Sequence, residues 1–222
     1  MMSKKLVLGV LLMLMFIFTT SGLFAVELWN GFTTEMTIDI VKNRASTALE
    51  LNDFEESLSG GDWSQSDSRI FAVNRGSRRH LNATFPPYEA RVKFIAPAEK
   101  SFESVTFYFR NNLLFSVWVV PRIYINDFLP VAQNQYGAVT ETFIEEDPGL
   151  PGNSFGTPWR RTWYRWQTQG KIIYTAGGFS NDPLRRFVRL IIFEQLAVTN
   201  YAIERQEAEN RRREQATSGF SF

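Results

Sequence analysis

The stretch Ser104-Val105-Thr106-Phe107-Tyr108-Phe109-Arg110, followed after Asn111 and Asn112 by Leu113-Leu114-Phe115-Ser116-Val117-Trp118-Val119-Val120-Pro121, decides the fold class. In the first segment Val105, Phe107 and Phe109 share one face while Ser104, Thr106, Tyr108 and Arg110 take the other, the two-residue period of a half-buried strand. The second segment is apolar almost throughout. It reads as a strand covered on both faces, which Pro121 ends or places at an edge.

Working outward, Val92 and Phe94 alternate with Arg91 and Lys93 until Pro97 stops them. A short strand is expected over residues 69–73, between the turn residues Ser59-Gly60-Gly61-Asp62 and Asn74-Arg75-Gly76. Residues 159–167, 171–175 and 187–198 read as the closing strands, the last with Val188, Leu190, Ile192, Leu196 and Val198 on one face. No helical pattern alternates with these strands, so a parallel sheet with crossover helices is disfavoured. An all-β, antiparallel β-sandwich is the economical answer.

Residues 26–50 are ambiguous: Met36, Ile40, Val41, Ala45, Ala48 and Leu49 fit a helical stripe, while residues 37–41 alternate like a strand. Helix is preferred. Residues 145–153, Glu-Glu-Asp-Pro-Gly-Leu-Pro-Gly-Asn, are rich in turn formers and read as an exposed loop. Beyond Tyr201 the apolar face vanishes, and Glu207 with Arg211 and Glu209 with Arg213 form favourable pairs four apart. This is a charged, solvated helical tail running into a flexible Thr217-Ser218-Gly219. The expected organisation is a signal segment at 1–25, a segment at 26–50 with helical character, a sandwich domain at 51–200 and the tail at 201–222.

The chain's 222 residues are 44% apolar and 15% aromatic, with twenty Phe, which argues against disorder. Its 24 basic and 23 acidic residues give nucleic acid or an anionic membrane no electrostatic claim on it. The absence of Cys excludes thiol catalysis, disulfides and thiolate metal sites, and His80 is the one histidine. No cofactor is expected.

Lys4 and Lys5, an apolar run of 13 residues over 6–18, and the small and polar residues 19–22 leading to Leu23-Phe24-Ala25 have the three parts of a secretory signal. The run is shorter than the roughly 20 residues that span a bilayer as a helix, so a cleaved signal is favoured over an anchor. Cleavage falls after Ala25 or after Gly22. Removing Lys4 and Lys5 leaves 22 basic against 23 acidic residues. The expected product is exported, nearly neutral and not integral to a membrane.

Candidate chemistry is sparse. His80 has no nucleophile pattern or second ligand near it and reads as an ordinary surface or partly satisfied histidine. Asn82-Ala83-Thr84 matches a glycosylation sequon, a pattern short enough to arise by chance. Asp62, Ser64, Ser66 and Asp67 are spaced faintly like a calcium loop but lack its Gly and Glu. Glu145, Glu146 and Asp147 sit too close together to flank a glycosidic bond. The terminal Phe220 and Phe222 resemble the end of an outer-membrane barrel strand, yet Arg211, Arg212, Arg213 and Glu214 break its apolar face.

The densest feature is Trp159-Arg160-Arg161-Thr162-Trp163-Tyr164-Arg165-Trp166. As a strand it places Trp159, Arg161, Trp163 and Arg165 on one face, a ladder of rings and guanidinium groups suited to docking a protein. The same ladder suits a sugar platform. The competing reading makes one face core, with Arg covering the Trp rings.

Asp53-Phe54-Glu55 followed by Trp63, the strand 104–110 followed by Asn111, the segment 159–163 and the closing strand 188–198 resemble the spirochaete flagellar filament outer layer (sheath) protein family, FlaA. Phe54 and Trp63 also resemble the start of galactose-binding-like jelly rolls. The resemblance implies a periplasmic, non-enzymatic sheath component that packs on a flagellin core and on other sheath proteins, by self or paralogue assembly, and contributes to motility. The alternative is an exported carbohydrate-binding module that uses exposed Trp or Tyr rings. A hydrolase stands third.

Overall fold

The structure, a computed structural model, describes residues 25–58, 86–147, 159–177 and 188–218. The expected signal, the strand expected at 69–73, His80, the Asn82 sequon, the 62–67 oxygen cluster and Phe222 lie outside the described residues.

The first elements are strands β1 (Glu27–Trp29) and β2 (Phe32–Thr33), then helix α1 (Ile38–Leu49). Strands β3 (Phe54–Ser57), β4 (Ala90–Ile95), β5 (Phe102–Arg110) and β6 (Leu113–Pro121) follow, and then helix α2 (Ile125–Tyr136). The chain continues with β7 (Glu141–Asp147), β8 (Trp159–Thr168), β9 (Lys171–Ala176), β10 (Arg189–Glu194) and helix α3 (Gln195–Ser218). The molecule is thus mostly β, as expected. Eight strands form one antiparallel sheet in the order β3-β4-β5-β6-β10-β9-β8-β7, and β1 and β2 pair separately.

Three of the connections are two-residue turns whose central residues both have positive φ: Asn30-Gly31, Asn111-Asn112 and Gln169-Gly170. Asn and Gly tolerate that backbone best, and its twist matches the twist of the strands it joins. The β1–β2 hairpin was missed in the sequence, although Asn30-Gly31 signals it.

The sheet carries a buried cluster on each face. Val92, Phe94, Val105, Phe107, Leu114, Val117, Ile173, Ile192 and Trp166 build the first, which Leu28 and Phe32 of the hairpin and Val41 and Ala45 of α1 join. Residues 26–50 therefore share the core of the large sheet. Each fully buried Phe or Leu here contributes about 1.5–3 kcal/mol. Tyr108, Trp118, Trp163, Ile172, Tyr174, Ile191 and Phe193 build the second cluster. Residues 114–119 of β6, mid-sheet between β5 and β10, are buried on both faces because a cluster packs on each. A register shift between Tyr108 and Phe109 lets Leu114 and Val117 face the same side.

Four expectations are corrected. The closing strand ends at Glu194, and α3 starts at Gln195, so Leu196 is exposed and Val198 is buried from a helix. The charged tail is the continuation of this helix, which extends through Thr217 and Ser218. Glu145, Glu146 and Asp147 belong to β7 rather than to a loop. In the α1 stripe, Ile38 and Leu49 pack with Val41 and Ala45, while Ile40 and Ala48 face outward.

Helix α2 was missed as well. Ile125, Phe128, Leu129, Ala132 and Tyr136 recur at helical spacing. Pro130 inside the helix cannot donate a backbone hydrogen bond, which masks the pattern. Ala132 is buried, and Phe128, Leu129 and Tyr136 pack on the first cluster.

Candidate functional site

The Trp and Arg ladder lies on β8, second strand from one edge of the sheet. Its neighbour β7 is acidic, and the register sets Glu141 against Arg165, Glu145 against Arg161, Glu146 against Arg160 and Asp147 against Trp159. Opposite charges on facing positions favour the pairing of these two strands. The acidic run and the ladder, read separately in the sequence, are one antiparallel unit.

Within the ladder, Trp163 is completely buried in the second cluster and presents no ring face to a partner. Trp166, from the opposite face of β8, is completely buried in the first cluster, and its Nε1–H donates to the Gly137 carbonyl at 3.0 Å. Arg165 is half-buried: Nη1 donates to Glu141 Oε2 at 2.9 Å and Nη2 to Gln167 Oε1 at 3.0 Å. Burial raises the Tyr174 hydroxyl's pKa above the usual phenol value, and the neighbouring Arg165 opposes the shift. Trp159 and Arg161 lie at the start of β8, where the register sets them against Asp147 and Glu145.

A second surface gathers where the turns at Asn111 and Gly170 meet the start of α3, around a cleft of about 740 Å³. Glu35, Arg110, Glu194, Asn200 and Glu204 line it together with Leu196. Arg110 Nη2 donates to Glu204 Oε2 at 2.9 Å, and its guanidinium lies 5.5 Å from the Tyr201 ring centre, which fixes the second and third turns of α3 to β5. Burial raises the pKa of the Glu194 carboxyl.

Past this anchor α3 stands bare. No described residue after Val198 is buried, and from Ala202 to Ala216 all but Ala208 are exposed. Glu204, Arg205, Glu207 and Glu209 precede Arg211, Arg212 and Arg213, and Glu214 follows them, so charges of both signs run along the exposed helix. Glu209 accepts from Arg213 at 2.7 Å, and Arg211 lies 3.7 Å from Glu207. The 24-residue helix is about 36 Å long.

Among the described residues no group of three or more His, Asp or Glu is placed to hold a metal ion, and no helix is long and apolar enough to cross a membrane. Comparison with known proteins returned no matching family, no matching curated relative and no matching solved structure.

Proposed function

We propose that the chain is an exported, non-enzymatic structural subunit of the sheath around a periplasmic flagellar filament, binding the flagellin core and neighbouring sheath subunits. The observation that carries this reading is α3. A helix anchored by its first three turns and solvated along the rest gains little stability from its own fold, so its length and dense mixed charge suit contact with another subunit. The buried clusters on both faces of the large sheet support the finer reading of a jelly-roll sandwich, a stiff body from which such an arm can act. Trp159 and Arg161, at the start of the ladder, are the second candidate contact.

The test is fractionation of the native cells followed by sedimentation of detergent-insoluble filaments. The protein is expected in the filament pellet. Combined Arg211→Ala, Arg212→Ala and Arg213→Ala substitution is expected to release it to the soluble periplasm without changing its Tm. A wild-type protein found wholly in the soluble fraction overturns the assignment.

A further inference from the structure

The second face of the large sheet carries a groove outside the surfaces described above. One cross-strand row runs through it from Glu55 on β3 to Lys93 on β4, Thr106 on β5, Trp118 on β6 and Ile191 on β10, each residue the register partner of the next. With Arg91, Ser104 and Arg189 these residues surround a cavity of about 280 Å³. Arg91 and Lys93 are half-buried, yet among the described residues the side chain of neither makes an ion pair or hydrogen bond. Glu55 is opposite Lys93 in the register without forming an ion pair with it.

Holding two cations partly out of water without a counter-charge costs solvation energy that an anionic ligand returns. Arg91 and Lys93 against the single carboxylate of Glu55 set the sign of that ligand. Glu55 disfavours a bare anion but accepts hydrogen bonds from hydroxyl groups, and Ser104 and Thr106 both donate and accept them. The Trp118 indole supplies an apolar wall. Anionic charge, several hydroxyls and a small apolar ring face together describe a sugar acid, and the volume, just below the usual small-molecule range, suits a single ring.

We propose that this groove binds one carboxylate-bearing sugar unit of an acidic saccharide, with Arg91 and Lys93 holding the carboxylate and Glu55, Ser104 and Thr106 reading the ring hydroxyls. Helix α3 contributes no lining residue, so occupancy of the groove is tested independently of filament association.

The experiment titrates the full secreted chain with glucuronate, with glucose and with inorganic phosphate, following heat by calorimetry and the Trp118 indole N–H by NMR. Glucuronate is expected to bind at least about tenfold more tightly than either glucose or phosphate and to shift the Trp118 signal. Lys93→Gln and Arg91→Gln are each expected to weaken it about tenfold or more, while Arg212→Gln, on α3 and away from the groove, leaves it unchanged. An unchanged Tm verifies the fold of both groove variants. Absence of glucuronate binding, phosphate binding of equal strength, glucose binding of equal strength, or indifference to Lys93→Gln each overturns the proposal.

Discussion

Trp163 shows how far a side chain's chemistry is decided by where its strand lies. Its indole is sealed between β8 and the neighbouring strands, so Trp163→Ala is expected to cost about 3–5 kcal/mol in urea unfolding, with loss of near-ultraviolet circular dichroism. A variant that unfolds at the wild-type midpoint contradicts the burial. Glu194 gives a second expectation. Burial raises its folded pKa above the ordinary 4.5, so the folded state binds the proton more tightly than the unfolded chain does. Its contribution is full below pH 4.5 and is lost as pH rises through the folded value. Glu194→Gln should therefore be more stable than wild type at pH 7, and the gap should narrow as the pH falls towards 4. Lys171 is opposite Glu194 in the register; burial lowers its pKa, and Glu27 partly offsets that shift. A constant gap across pH 4–7 rejects this account.

Among the elements, the β1–β2 hairpin depends on a turn that only a few residues accommodate. At Gly31, φ is +80°, and an added Cβ would clash with Arg44 Nη2, displacing a guanidinium that sits 5.6 Å from the Phe32 ring centre. Gly31→Ala is expected to cost about 1–2 kcal/mol from the backbone alone, with a smaller total loss when Arg44 is also Ala. Chemical denaturation of the single and double variants measures both parts. Helix α3 behaves oppositely. Removal of residues 205–222 deletes no buried described residue, so the unfolding free energy should move by no more than about 0.5 kcal/mol while filament sedimentation is lost. A large drop in stability places the arm in the fold rather than in assembly.

Across the whole molecule, the covered sheet provides stiffness and the charged helix provides reach. Contacts made by exposed charges weaken with salt, since the Debye length shrinks from about 10 Å at 0.1 M to about 3 Å at 1 M. The filament-bound protein is accordingly expected to dissociate between these concentrations while the folded monomer persists, measurable by sedimentation alongside circular dichroism. Retention at 1 M salt assigns the contact to an apolar surface instead.

Local alternation is enough to place β4 and β5, where Val92 and Phe94, and Val105, Phe107 and Phe109, recur at every second residue on one buried face. The chain alone therefore determined a mostly antiparallel β protein with a charged helical end. It left the site poorly marked, since a Trp-Arg strand looks the same whether a partner or the protein itself covers it. Tertiary structure decided that question for Trp163 and Arg165: an acidic strand 24 residues upstream of Arg165 pairs with it through Glu141, and the sheet face closes over the indole. It likewise decided where β10 gives way to α3 and that α2 forms despite Pro130. In each case the selecting force is burial against a segment distant in sequence, which no local period records.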